Sequence, residues 1–317
     1  MMRVLFVSSG NSEKWGISLN VLNQGEALKA SGMIVDYYTI KGKGWKGYLR
    51  NIKPLHKYLK QNHYDIIHAH FSLTAFLASL AGARNLVVSL MGDDVNVKSF
   101  FTRLIPLFYY LFQWRILIVK SEKMKDKLNL KGVEVVPNGV NIDKFKILDR
   151  TECRKQLGWE LDKKHLLFAA ISTVKIKNYR LAQEAVDLLG EPNVVLHSLH
   201  ETPNELMPLL YNAADVVLLT SLSEGSPNVV KEAMACARPL VCTDVGDVRW
   251  LFGELDGHYI TSFSATDTLI QIRKAIAYEE QHSHTHGRER IMHLHLDTLS
   301  ISARLRDLYE RILITRN

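Results

Sequence analysis

Short apolar runs recur along this sequence at intervals that leave room for a helix between neighbours. RVLFVSS, MIVDYYTI, DIIHAHF, NLVVSL, RILIVKS and VEVVPNG form a first series, and HLLFAAIS, NVVLHSL, DVVLLTS, PLVCTDV and GHYI form a second. Strand and helix in regular alternation build a parallel sheet covered by helices on both faces, an α/β doubly wound architecture. Between the two series lies the polar, turn-rich stretch NGVNIDKFKILDRTECRKQLGWELDKK. Two doubly wound units joined near residues 139–164 therefore account for the whole chain, and 317 residues suit two domains.

Charge divides the halves. Residues 1–150 carry 22 basic against 11 acidic side chains, and residues 151–317 carry 18 against 22. Much of the excess sits in KGKGWKGYLRNIKPLHKYLKQNH, where Lys53, Lys57 and Lys60 follow helical spacing beside Trp45, Tyr48, Leu49 and Tyr58. That pattern suits an anionic membrane surface or, equally, a solvated helix face. Nucleic acid is not expected, because no helix-turn-helix, zinc or RNA-binding signature accompanies the charge. SFFTRLIPLFYYLFQWRILIV approaches bilayer-crossing length, but Arg103, Pro106, Gln113 and Arg115 interrupt it. The reading is a buried helix over 100–113 followed by a strand over 115–119. The N-terminus runs directly into a strand without the basic head and apolar stretch of a signal peptide, which points to the cytoplasm. Cys153, Cys236 and Cys242 lack metal-ligand spacing and read as reduced thiols.

The stretch SEGSPNVVKEAMA, residues 223–235, sets two carboxylates eight positions apart around a turn. The run VVLLTS ends there as a strand, and a helix is expected to begin near Pro227 with Ser226 as its cap. In open α/β sheets this edge is where ligands bind, and the free N–H groups of a helix start attract phosphate-like or hydroxyl-rich ligands. On the helix, Val229, Val230, Ala233, Met234 and Ala237 form the sheet-facing stripe, with Asn228, Lys231, Glu232 and Ala235 on the opposite side. Glu232 can then reach the crevice mouth, where a carboxylate can accept from the two hydroxyls of a ribose. Glu224, at the strand exit beside Gly225, can accept from the hydroxyls of a sugar. The alternative readings are a capping or salt-bridged loop carboxylate for Glu224 and an exposed, ion-paired helix residue for Glu232.

SEGSPNVVKEAMA resembles the E-x7-E motif of the retaining glycosyltransferases of family four, matching through Ser223-Glu224-Gly225, Pro227, Glu232-Ala233 and Met234-Ala235. That family has a GT-B fold, two Rossmann-like domains facing across a cleft. The resemblance implies an N-terminal acceptor-side domain, 1–145, and a C-terminal donor domain, 146–317, whose last helix packs back toward the first. VPNGVNIDKF is similar to the family's interdomain crossover, and LYNAADVVLLTS and ACARPLVCTDVGDVRWLF to what flanks its motif. Ala237 stands where the family often has Gly. YDIIHAHF places His70 at the family's active-site histidine, although a histidine at a strand end is more often structural. SGNSEKWGISLNV resembles the Gly-rich turn after the first strand, with Trp15-Gly16 where two glycines are usual, so only Gly16 carries over. The flavour is that of bacterial exopolysaccharide or cell-surface polysaccharide enzymes.

The resemblance further implies transfer of a sugar from a nucleotide diphosphate, with UDP expected by family frequency, to a glycan or lipid-linked acceptor with retention. Glu232 is implied as the ribose ligand and Glu224 as the residue touching the transferred sugar. His70 is implied to hydrogen-bond that sugar, with Gly225, Ser226, Pro227 and Asn228 completing the donor loop. Family members commonly place an Arg and a Lys against the diphosphate. In ISTVKIKNYRLAQEAV Lys177 carries over, Ser172 stands at the Arg position and Lys175 is the substitute cation, two solvated lysines being the plain alternative. No cofactor or tightly bound metal is expected. His282, His284, His286, His293 and His295 have no fixed cage spacing and read as a solvated linker. The rival readings are a GT-B epimerase or hydrolase and a catalytically silent partner-binding subunit. A hydride-transferring Rossmann enzyme is disfavoured, because no G-x-G-x-x-G follows either first strand.

Overall fold

A computed structural model describes all residues except 12–15, 43, 97–99, 201 and 315–317. In chain order the elements are β1 (Arg3–Ser9), α1 (Leu19–Ala30), β2 (Ile34–Ile40), α2 (Gly44–Leu49), α3 (Ile52–Gln61), β3 (Ile66–His70), α4 (Ser72–Leu80), β4 (Leu86–Ser89), α5 (Gly92–Asn96), α6 (Phe100–Leu111), β5 (Ile116–Val119), α7 (Glu122–Leu128) and β6 (Val133–Val135). They continue with α8 (Arg150–Leu157), β7 (Lys164–Ile171), α9 (Tyr179–Leu189), β8 (Val194–Leu199), α10 (Met207–Ala213), β9 (Val216–Leu219), α11 (Asn228–Ala235), β10 (Leu240–Thr243), α12 (Val248–Phe252), β11 (His258–Thr261), α13 (Ala265–Gln281), α14 (Gly287–His293) and α15 (Thr298–Ile314). Each of the eleven apolar runs is a strand.

Two compact units result. The first comprises Met1–Gly139 and the C-terminal segment from Thr298, and the second comprises Val140–Asp297. The division falls just after the Pro-Asn-Gly turn, a few residues before the 145/146 boundary drawn from the crossover resemblance. Sheet order is β2-β1-β3-β4-β5-β6 in the first unit and β11-β10-β9-β7-β8 in the second, with every pairing parallel. In both, the chain goes from the first strand to one side and then crosses to the other, so the gap beside the first strand is a topological switch point. In open sheets of this kind ligands bind outside the carboxyl ends of the two strands that flank such a point. The switch lies between β1 and β3 in the first unit and between β7 and β9 in the second.

One face of the first sheet, including Leu5, Val7, Ile67, Ala69, Val88, Leu117 and Val119, packs with Leu55, Phe76, Leu77 and Ile105 from α3, α4 and α6. In the second unit, Leu166, Phe168, Val216, Leu218 and Val241 pack with Ala182, Ala185, Ile272 and Ala275 from α9 and α13. Burial on both sheet faces is why these strands read as continuous apolar runs.

Two expectations need correction. The helix read as buried over 100–113 is α6, and only Ile105 in it is fully buried. Phe100, Leu107, Tyr110 and Leu111 share its solvent face, with Phe100 70% and Leu111 66% exposed. Apolar residues stand on both of its faces, beside Thr102 and Arg103, and only one face packs on the rest of the unit. Residues 282–295, read as a linker, contain α14, because Gly287 allows close approach to α11: a Cβ there would lie 2.9 Å from Met234 Cα. No helix among the described residues is long and apolar enough to cross a membrane.

Candidate functional site

In the second unit the loops after β7 and β9 are stitched together across the switch point. Thr220 donates through Oγ1 to the carbonyl of Asn178 at 2.9 Å, and Leu222 N–H donates to the Ile176 carbonyl at 2.8 Å. This brings Lys177, at the end of a 3-10 turn over Lys175–Lys177, against Glu224. Lys177 Nζ donates to Glu224 Oε1 at 2.6 Å, and Ser221 Oγ donates to the same oxygen at 2.8 Å. The side chains are 29% and 15% exposed, so the pair is screened from bulk water yet open to a ligand. An ammonium has three donors, so Lys177 can hold Glu224 and still reach an anion. Lys175 is exposed, and in a 3-10 turn residues two apart point in different directions. Ser172 is partly buried on the same loop.

The start of α11 differs from the sequence reading. Pro227, not Ser226, is the N-cap residue, and no side chain caps the helix. Ser226 instead accepts from Lys231 Nζ at 3.0 Å. Lys231, on the side of α11 away from the sheet, is completely buried, as is Ala235, because α14 covers that side. Burial lowers the Lys231 pKa to about 8, against the pull of Asp247 and Glu232. Gly225 is buried and Asn228 partly buried. Beneath the loop, Gly246 adopts φ +56, and a Cβ there would lie 2.7 Å from the Gly225 carbonyl oxygen. Only glycine fits both demands. Thr243 Oγ1 completes the support by donating to the Ser221 carbonyl at 2.7 Å.

Glu232 lies one turn into α11 and is partly buried. Tyr211, fully buried on α10, donates to its Oε2 at 2.7 Å. Burial raises the Glu232 pKa above the ordinary carboxylate range, while Tyr211, Lys144 and Lys231 pull it down. The preceding residue of α10, Leu210, lines a hollow of about 300 Å³ at the end of β8 with Trp159, His197, His200, Thr202 and Pro203. Glu201, in the loop that follows β8, lies outside the described residues.

In the first unit His70 ends β3, beside the switch point. It is 2% exposed, and neither ring nitrogen has a hydrogen-bond partner among the described residues. Its ring stacks on His68 at 4.2 Å between centroids and tilts against Phe6 at 4.5 Å. Burial, reinforced by the Lys120 charge, lowers its pKa to about 3 and keeps the imidazole neutral. Gly16, at φ +67, follows β1 on the other side of the switch point, ahead of Ser18, which caps α1. Trp15 lies outside the described residues. The structure thus collects Lys177, Glu224, Gly225, Ser226, Pro227, Asn228 and Glu232 at one edge of the second unit, and Gly16 and His70 at the corresponding edge of the first.

Sequence reasoning missed four residues here. Tyr211 and Gly246 lie in stretches already noted, but nothing local marks their partners. Lys231 lies on the side expected, but its burial under α14 has no local mark in the sequence, and Tyr309, which contacts His68, is remote in sequence.

Residues 23–144 match the family described as Glycosyltransferase Family 4, and residues 163–276 match Glycosyl transferases group 1. Between them the two matches span most of the chain, which belongs with the glycosyltransferases of family four. A Bacillus subtilis protein described as a glycosyltransferase of teichuronic acid biosynthesis is 29% identical over 60% of this chain and 56% of its own length. The Escherichia coli UDP-Gal:alpha-D-GlcNAc-diphosphoundecaprenol alpha-1,3-galactosyltransferase is 24% identical over 67% of this chain and 66% of its own. The chain thus matches between just over half and about two thirds of the length of these relatives. Among solved structures, sucrose-phosphate synthase from Thermosynechococcus elongatus superposes with a TM-score of 0.82 at 16% identity, covering 99% of this chain and 100% of its own. Anabaena HepE with UDP-glucose gives 0.75 at 17%, covering 98% and 100%. These two share the GT-B fold with this glycosyltransferase.

Proposed function

We propose that this glycosyltransferase moves a sugar from a nucleotide diphosphate, UDP by preference, to a hydroxyl of a glycan or lipid-linked acceptor in cell-surface polysaccharide synthesis, with retention of configuration. The observation that carries the reading is the Lys177–Glu224 pair, 2.6 Å apart at the switch point of the second unit, with Glu232 on the adjoining helix. Glu232, with Oε2 held by Tyr211, keeps lone pairs for the ribose hydroxyls, and the hollow beside Leu210 takes the base. One short helix thereby serves both halves of a nucleoside. Lys177, assisted by Lys175 and the amide ends of the Gly16 and Gly225 loops, takes the charge that develops on the leaving diphosphate. Glu224 accepts from the transferred sugar, and His70, neutral at physiological pH, hydrogen-bonds it. The acceptor belongs to the basic first unit. The diphosphate itself can accept the acceptor's proton, so no protein nucleophile or metal is invoked.

The same reading places the enzyme at the inner face of an anionic membrane. α2 and α6 both pack against α4, and exposed Trp45, Phe100, Leu107, Tyr110 and Leu111 stand among Lys46, Arg50 and Arg103. Apolar and cationic side chains together suit an anionic bilayer surface. Cosedimentation with anionic but not neutral vesicles is expected, and equal partition into both would remove this part. The test of the activity is incubation with a panel of nucleotide sugars, with and without lipid-linked acceptors. Acceptor-dependent nucleotide release is the expected result. Acceptor-independent turnover would make the protein an epimerase or hydrolase, and no turnover a silent subunit.

A further inference from the structure

His70 owes its orientation to something other than its own hydrogen bonds. Strand alternation puts His68 and His70 on one side of β3, and their rings stack at 4.2 Å and 26°. Phe6, in register with His68 on β1, closes the other contact, with its centroid 5.2 Å from His68 and 4.5 Å from His70. Among the described residues His70 has no partner on either nitrogen, whereas His68 has one on each. Its Nδ1 is 2.6 Å from the Tyr309 hydroxyl and its Nε2 is 2.8 Å from Ser89 Oγ. All three residues of this clamp are fully buried. Burial, with His70 and Lys120 adding to it, lowers the His68 pKa and holds the ring neutral. A neutral imidazole has one donor and one acceptor, so Tyr309 and Ser89 take complementary roles, and a flip of the ring would break both bonds.

Tyr309 comes from α15, which belongs to the first unit. α15 packs on α1, and Arg306 donates to the Ser31 carbonyl. Arg311 pairs with Glu134 at 3.2 Å. The C-terminal helix is therefore fixed to the sheet whose edge carries His70, and it meets the histidine pair through Tyr309, whose hydroxyl bonds His68 and whose ring stands edge-on to it at 5.8 Å between centroids. We propose that Tyr309 is a positioning residue for His70, acting through His68: the hydroxyl locks the His68 ring, and the locked ring is the surface on which His70 rests. The functional consequence rests on the reading of His70 given above, but the physical link does not.

Tyr309→Phe keeps the aromatic ring and deletes the hydroxyl. The variant is expected to bind nucleotide as the wild type does and to lose about tenfold in kcat, since a small misplacement of a reacting partner is costly. The His70 ring resonances should shift at the same time. On a His68→Phe background, where no imidazole needs holding, Tyr309→Phe should change kcat by less than about twofold, as expected of a coupled pair. Equal losses in both backgrounds, or unchanged His70 resonances and kcat in a folded Tyr309→Phe protein, would overturn the proposal. Should Tyr309→Phe not fold, Ser89→Ala releases the other nitrogen of His68, and the same two readings apply. If the wild type transfers no sugar, the functional reading fails, and the His70 resonances alone decide the positioning link.

Discussion

Replacing Glu232 separates donor binding from the structural work its side chain does. Its Oε2 accepts from Tyr211 at 2.7 Å, a bond that an amide oxygen can keep. In the donor complex proposed above the carboxylate would also accept from two ribose hydroxyls, and each hydrogen bond to a charged group contributes ~1.5–3 kcal/mol. Glu232→Ala loses both, at least about 3 kcal/mol, or roughly 100-fold in Kd. Glu232→Gln keeps one acceptor at neutral strength and should lose about 2 kcal/mol, near thirtyfold. In the free protein the sign reverses. Burial raises the Glu232 pKa above 4.5, so the folded state binds that proton more tightly than the unfolded state. Stability then falls as pH rises from the unfolded value to the folded one, and at neutral pH the ionised group is a net cost. Glu232→Gln removes the cost, so the thermal midpoint at pH 7 should hold or rise while affinity falls. Titration calorimetry with UDP, ADP and GDP, beside scanning calorimetry of the free variants, measures both quantities. A folded Glu232→Ala protein that binds within about threefold of wild type would falsify the ribose assignment. A Glu232→Gln protein that loses affinity and midpoint together would show that the carboxylate holds the fold.

Lys177→Met should cost about 10²–10³ in transfer rate, the usual effect of deleting one charge-stabilising donor, whereas Lys175→Met should cost only a few-fold. Initial rates showing the opposite ranking would move the leaving-group role to Lys175. His70, His197 and His258 are held neutral by burial, at about 3, 4 and 4. Their contribution to stability is complete above about 6.5 and drains away as pH falls through that value toward 4, because the unfolded chain takes up protons first. Urea midpoints should therefore drop between pH 7.5 and 4.5, and a flat profile would contradict the burial of these rings. Ala237 adopts φ +53 with its side chain buried. In Ala237→Gly, relief of about 1 kcal/mol of left-handed strain offsets a lost methyl of similar value, so a destabilisation beyond about 2 kcal/mol on thermal unfolding would refute the strain argument.

The strands were legible because parallel strands buried on both faces are written as unbroken Val, Ile and Leu runs, a signal needing no knowledge of neighbours. The loop carrying Glu224 was legible for a similar reason, since strand, turn and helix start follow one another in sequence. What could not be read depended on packing between distant segments. Lys231 has the spacing of an exposed residue and is buried only because α14, more than fifty residues later, lies over it. α6 failed in the opposite sense, since its periodicity shows that one face packs but cannot show that nothing covers the other. His68 carries no mark of its own in YDIIHAHF, because one partner of its ring, Tyr309, lies on the final helix.

The spacing of the two glutamates follows from what each has to meet. Glu224 must reach the cation on the loop after β7, and a residue four positions before the first turn of α11 does so while the loop still lies against Gly246. Glu232 must face Tyr211 on α10, and the helix rotates each successive residue by about 100°. Moving it one place along α11 would turn the carboxylate away from the Tyr211 hydroxyl, and moving it a full turn would carry it about 5.4 Å further from the loop. Changing the loop length instead would displace Glu224 from Lys177 or force the backbone out of its contact with Gly246. Both errors act on geometry and neither on charge, which is why a motif defined only by spacing can mark a site whose two carboxylates do different chemistry.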